Sequence, residues 1–210
     1  KHNNLNKYIA YQYVEADENC IELVSEFCSG GSIESLLKKF DCFEEKLIVK
    51  YVKQILQGIY HLHSLGKVHM NLNSNNVLVD SSGIIKIADY LEFNCLTKFN
   101  SKRIIDLQTN NLKEPPYLVA PEVMQNQVKL TQAIDIWSLG CLILQMATNS
   151  LPWKNVSKDI KEVSELLIDF KAPPKFPTNF SKEGKEFLRN CFRKEPEKRM
   201  TAEQLLQHDW

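Results

Sequence analysis

The segment Thr131–Ala147 constrains the fold more than any other part of the chain. Its apolar residues (Ile134, Ile136, Trp137, Leu139, Cys141, Leu142, Ile143, Leu144 and Met146) fall on every side of a helical wheel rather than on one stripe. Such a helix has no face for water, so other elements must pack around its whole circumference. It is not a membrane span: the uncharged run Ile136–Trp153 is interrupted by Ser138, Gln145, Thr148, Asn149, Ser150 and Pro152, which marks a buried core helix. A chain of 210 residues, 43% hydrophobic and 25% charged, is long enough to build that surrounding core and too apolar to stay disordered.

The elements that must surround this helix can be read from period and punctuation. Tyr8–Val14 and Cys20–Cys28 are rich in aromatic and β-branched residues, with Ala16-Asp17-Glu18-Asn19 as the turn of a hairpin. Ser29-Gly30-Gly31 breaks the second strand, and Ser32 is the N-cap of a short helix through about Lys39, with Glu34 in its first turn. From Glu44 the apolar residues recur every three or four positions (Leu47, Ile48, Tyr51, Val52, Ile55, Leu56, Ile59, Leu62), predicting a long helix ended by Gly66. Val77–Val79 and Ile84–Ile87 flank Asp80-Ser81-Ser82-Gly83 as a second hairpin. Residues 90–119 have no period and are too long for an ordinary connection, which points to a functional loop. Amphipathic helices are expected over Glu162–Phe170 and Glu183–Phe192, and Thr201 caps a last one through Gln207. The fold class is α+β: a few antiparallel strands, then a mainly helical body.

Charge narrows the partners. With 26 basic and 26 acidic side chains the formal charge is zero, which removes the electrostatic case for nucleic acid or an anionic membrane. Lys1–Lys7 is polar and has no apolar run of a signal peptide. The six cysteines are scattered without a C-x-x-C pair, which fits reduced thiols in a cytoplasmic protein better than zinc or a disulfide framework. His61 and His63, two residues apart on a helix, point different ways and do not make a metal pair.

Several short patterns fall in one order. His69-Met70-Asn71-Leu72-Asn73-Ser74-Asn75-Asn76 precedes the second hairpin and Asp89-Tyr90-Leu91 follows it. Ala120-Pro121-Glu122 ends the irregular loop, Asp135-x-Trp137-Ser138-x-Gly140 opens the buried helix, and Arg199 precedes the last one. Together they resemble the protein kinase catalytic domain, with its H-R-D-x-x-x-x-N loop, D-F-G and A-P-E. Cys28-Ser29-Gly30-Gly31-Ser32, the Gln54–His63 helix and the Glu183–Pro196 stretch are most similar to the mitogen-activated kinase kinase kinase branch of Ser/Thr kinases. The resemblance covers essentially the whole chain. It implies residues 1–28 as the last two strands and hinge of the small lobe, and 29–210 as the large lobe, with an activation segment over 89–122. It also implies that about 50 residues of small lobe lie outside this chain, carrying the glycine-rich loop, the phosphate-binding lysine and its glutamate. The chain has seven glycines, about half the usual share, and no G-x-G-x-x-G.

The resemblance assigns roles position by position. Asn71 stands where the catalytic carboxylate would be, and an amide cannot take a proton from a substrate hydroxyl; Asn71 is expected to keep the loop's hydrogen bonds instead. Asn73 replaces the catalytic-loop lysine, and Met70 the arginine that receives an activation-loop phosphate. Asn76 and Asp89 match the two magnesium-holding positions, although Asn and Asp after short strands also suit plain turns. For ATP, Ser25 is the gatekeeper, the backbone of Glu26 and Cys28 meets the adenine edge, and Leu78 forms the floor; all four equally suit strand and core. Leu91 replaces the D-F-G glycine, which implies an altered loop pose. Thr97, Ser101 and Thr109 are loop hydroxyls open to phosphorylation, and Pro115 replaces a threonine that helps hold base and substrate. Glu122 and Arg199 match a buried ion pair, and Asp135 the brace of the catalytic loop.

The implied function is a pseudokinase, a regulator or scaffold in a kinase cascade whose partners are kinases or kinase substrates, with Mg–ATP binding retained or lost. The alternatives are an active or weakly active Ser/Thr kinase, and a helical interaction domain that binds no nucleotide.

Overall fold

A computed structural model describes residues 1–14, 20–90, 116–124, 131–170 and 173–210. The first hairpin pairs β1 (Tyr8–Val14) with β2 (Cys20–Ser25), antiparallel, with Val14 opposite Cys20 and Tyr8 opposite Ser25. Its expected turn, Ala16–Asn19, lies outside the described residues.

β2 stops at Ser25, short of the expected Cys28, and the next element also differs from the sequence reading. Gly31–Ser32 is not only a break but a two-residue strand, β3, which pairs antiparallel with β4 (Val77–Val79): Gly31 faces Val79 and Ser32 faces Leu78. The close approach depends on glycine. A Cβ on Gly30 would lie 2.7 Å from the Val79 carbonyl, to which the Gly30 N–H donates at 2.9 Å. β4 continues into β5 (Ile85–Ile87) through a turn held by Asp80, whose Oδ1 accepts from the N–H groups of Ser82 and Ile84 at 2.8 and 2.9 Å.

α1 (Ile33–Phe40) starts at Ser32, whose hydroxyl accepts the Ser35 N–H. α2 (Glu45–Ser64) ends at Gly66 in a left-handed conformation (φ +70°), with Gly66 N–H bonded to the His63 carbonyl and Lys67 N–H to that of Leu62, both at 3.0 Å. The remaining elements are α3 (Pro121–Met124), α4 (Ala133–Thr148), α5 (Ile160–Asp169), α6 (Lys182–Cys191), a 3-10 turn at Pro196–Lys198, and α7 (Ala202–Leu206).

Every residue of α4 from Ile134 to Met146 is buried, polar ones included. Its Trp137 is stacked on Trp153 and meets Phe192 edge to face at 5.1 Å. Along its length α2 lies beside α4, β5 and α7, turning Ile48, Ile55 and Ile59 inward. The chain before β1 fastens the hairpin to this body. Leu5 bridges Ile87 in parallel fashion, with Asn6 N–H donating to the Ile87 carbonyl at 2.8 Å and Ile87 N–H to that of Asn4 at 2.9 Å. Among the described residues, Cys28, Cys42, Cys141 and Cys191 are free thiols, and no helix is long and apolar enough to cross a membrane.

Candidate functional site

The site grows from the loop His69–Asn76, between α2 and β4. Asp135, in the first turn of α4, is fully buried and shapes the loop's entry. Its Oδ2 accepts from the His69 N–H at 2.8 Å and faces His63 Nε2 at 2.8 Å, while its Oδ1 accepts from the Met70 N–H at 2.7 Å. Asp135 is thus the brace expected from the sequence. His69 is buried as well, and its partners fix its tautomer. Nε2 donates to the Ala88 carbonyl at 2.9 Å, and Nδ1 accepts from the Asn71 N–H at 3.2 Å.

Next come the asparagines. Asn73 Nδ2 donates to both the carbonyl and the Oδ1 of Asn71, at 2.9 and 3.1 Å. Its own Oδ1 accepts from the N–H groups of Asn75 and Asn76. Asn76 Nδ2 reaches back to the Asn71 carbonyl at 2.9 Å. The amides at the base and lysine positions therefore hold each other and the loop. His69 is the only ionisable side chain from 69 to 76, and both its ring nitrogens are occupied.

Asp89 follows β5 with φ +58°, and the Ala88 N–H donates to the Asn76 carbonyl at 2.8 Å, which sets Asn76 beside the start of the Asp89 segment. With Asn76 Nδ2 committed to Asn71, its Oδ1 is the acceptor left for a ligand. An amide oxygen and a carboxylate are hard donors suited to Mg2+. Among the described residues no group of three His, Cys, Asp or Glu side chains could hold a metal, so a cation here would complete its shell with water or phosphate oxygens.

The residues expected at the hinge lie at the end of β2 (Ser25) and on the β2–β3 link (Glu26 and Cys28). Ser25 Oγ accepts from Asn6 Nδ2 at 3.1 Å. The Glu26 carboxylate is spent on structure, accepting from the Lys7 N–H at 2.9 Å and pairing with Lys86 Nζ at 3.3 Å. Burial pushes the Cys28 thiol up, and the Glu26 carboxylate adds to this, so the thiol is unreactive. Among the described residues the Cys28 backbone N–H has no hydrogen-bond partner, which leaves the donor an adenine edge would need. Leu78, on β4 opposite Ser32, is half-buried.

Sequence reasoning missed the residues that join these parts. Asn6 touches Ser25 through its side chain, Ile87 through its N–H, and Tyr90 through its carbonyl, which accepts the Tyr90 hydroxyl at 2.9 Å. Glu34 reaches the loop from α1: its N–H donates to the Ser74 carbonyl, and its Oε2 accepts from the Ser74 hydroxyl and from Gln145 Nε2. The expected ion pair is present and buried. Arg199 donates to Glu122 through both terminal nitrogens and spends its other donors on the carbonyls of Ala133, Arg193 and Lys194. Leu91, Thr97, Ser101, Thr109 and Pro115 lie outside the described residues.

A buried brace, a loop closed on Ala88 and Asn76 set beside the start of the Asp89 segment match the order of parts expected of a kinase-like domain, and similarity to known proteins gives the family. The family described as "Protein kinase domain" matches residues 1–210, and the chain belongs to it. It is 36% identical over 208 residues to mitogen-activated protein kinase kinase kinase A of Dictyostelium discoideum, covering 99% of this chain and 21% of that protein. To mitogen-activated protein kinase kinase kinase 3 of Arabidopsis thaliana it is 37% identical over 211 residues, covering 99% of this chain and 30% of that protein. To the Arabidopsis thaliana kinase kinase kinase YODA it is 38% identical over 210 residues, covering 99% and 22%. The domain is thus of the mitogen-activated protein kinase kinase kinase type, and it spans 21 to 30% of the length of these three relatives.

Proposed function

We propose that this domain is a pseudokinase: a kinase-like regulator or scaffold in a Ser/Thr kinase cascade, binding kinases or kinase substrates and transferring phosphate poorly or not at all. One observation carries the reading. At the base and lysine positions stand Asn71 and Asn73, hydrogen-bonded to each other, in a loop whose one ionisable side chain, His69, has both ring nitrogens engaged. A general base is worth about 10²–10⁴ in rate, and the loss of the lysine charge adds to that. The cytoplasm is the location that goes with such a role.

Mg–ATP binding without turnover is part of the proposal. Asn76 Oδ1 and the Asp89 carboxylate supply oxygen ligands, and the Cys28 N–H supplies a donor on the hinge. A bound magnesium would offset phosphate charge; the loop's amides would do no more than hold its backbone in place.

The test is a radiolabelled-ATP assay on the full-length protein. Turnover is expected at or near background. Clear turnover that Asp89→Ala abolishes and Asn71→Asp raises would overturn the pseudokinase reading in favour of an active kinase. Nucleotide binding is checked by thermal shift: a rise in melting temperature with Mg–ATP is expected, and no shift at millimolar nucleotide would leave only a domain that binds proteins.

A further inference from the structure

One tyrosine hydroxyl meets the Asp89 N–H, and that of the next residue, Tyr90, anchors the chain just after it. Tyr8, the first residue of β1, accepts the Asp89 N–H on its hydroxyl oxygen at 3.1 Å. Tyr90 donates its hydroxyl to the Asn6 carbonyl at 2.9 Å, and the two rings meet edge to face with centroids 5.4 Å apart. Asn6 is fixed in turn by its N–H on the Ile87 carbonyl and its amide on Ser25. The chain is therefore fastened just before the Asp89 Cα through Tyr8 and just after it through Tyr90 and Asn6.

Asp89 needs that support. Its φ of +58° lies in the left-handed region, which an aspartate tolerates but does not prefer. Turning φ back to the usual negative range would redirect the side chain, and a carboxylate that must meet a cation works only from one direction. The Tyr8 hydroxyl fixes the peptide plane before the Asp89 Cα and the Tyr90–Asn6 bond fixes the residue after it, so the two bonds together hold the Asp89 torsions between them in the left-handed pose.

We propose that Tyr8 is a positioning residue: its hydroxyl holds Asp89 in the left-handed conformation that offers the carboxylate to the cation of a bound nucleotide, with the Tyr90–Asn6 bond as a second fastening. This rests on the reading of Asp89 and Asn76 as cation ligands. A phenylalanine at position 8 would keep the ring contact with Tyr90 and remove the hydroxyl that accepts the Asp89 N–H.

The experiment uses the full-length protein and a non-hydrolysable ATP analogue, titrated calorimetrically with Mg2+ and with EDTA. Amide hydrogen exchange over residues 88–90 is measured without ligand. Tyr8→Phe is expected to weaken binding about threefold to tenfold with Mg2+, the worth of one net hydrogen bond. It should leave the affinity in EDTA unchanged and speed exchange at the Asp89 amide. A purely structural role would lower both affinities together. A Tyr8→Phe protein that keeps the full Mg2+ gain, or whose Asp89 amide exchanges as in wild type, overturns the proposal while Asp89→Ala still removes the gain. A wild-type protein with no Mg2+ gain, or a gain that Asp89→Ala leaves intact, overturns the cation reading and the proposal with it.

Discussion

Asp135→Asn would test how far the loop depends on one buried charge. The carboxylate is 0% exposed and meets two backbone N–H groups and the His63 ring, at 2.7–2.8 Å. An asparagine keeps the shape but turns one oxygen into a donor. Placed at Oδ1, the new amide faces the Met70 N–H; placed at Oδ2, it faces the His69 N–H, and His63 must change tautomer to accept. Either way at least one buried backbone donor is left without a partner, which costs about 1–3 kcal/mol, and the surviving bonds lose their charge assistance. The total comes to about 2–4 kcal/mol, or a fall in melting temperature of about 4–16 °C at this chain length. Thermal unfolding of wild type and variant followed by circular dichroism measures it. A melting temperature within about 2 °C of wild type would refute the argument, because the donors would then have found acceptors elsewhere.

Two further stability predictions concern the helical body. Glu45 receives the Ser181 hydroxyl and N–H and the Trp210 indole, and although burial alone would raise its carboxyl, these donors hold it below its usual value. Glu45→Gln should therefore cost about 1 kcal/mol at neutral pH. Because a depressed carboxylate loses its contribution as pH falls through the folded value, the gap between the two melting curves should close below the unfolded value of 4.5. Thr201→Ala removes the hydroxyl that accepts the Gln204 N–H in a reciprocal cap; it should cost about 1 kcal/mol in urea unfolding, with the slope of the transition unchanged.

Period and caps made most of the fold legible. The all-round apolar pattern of α4, the three-and-four spacing of α2, and the caps at Ser32, Gly66 and Thr201 are local signals, and local physics decides those elements. β3 was not legible, because a two-residue strand created by glycines closing on Val79 has no side-chain alternation. In the site, the family resemblance singled out Asn71, Asn73, Asn76, Asp89, Glu122 and Arg199, and the structure links the three asparagines by hydrogen bonds and buries the Glu122–Arg199 pair. What joins them was not legible. Tyr8 and Asp89 are 81 positions apart, and a hydroxyl adds nothing to a hydrophobic pattern, so a strand tyrosine that bonds a distant amide looks like any other. Asn6 was hidden for the same reason: its three contacts are two backbone bonds and one short amide bond.

The distribution of kept and lost groups follows from what each would cost to replace. Glu122 and Arg199 form a buried ion pair, and taking away one partner leaves an unpaired charge, a loss of about 3–5 kcal/mol; Asp135 is buried too, held by two backbone N–H groups and the His63 ring. Asn71 and Asn73 are half-buried, and each amide carries both donor and acceptor, so the two satisfy each other without any charge. Replacing a group of the ionic frame therefore costs stability, whereas amides at positions 71 and 73 hold the loop with no charged group. The same reasoning gives the reverse substitution its meaning. A carboxylate at position 71 would keep an acceptor for the Asn73 amide, so in Asn71→Asp that bond should survive, and a melting temperature measured beside turnover separates any structural effect from the chemistry of the site.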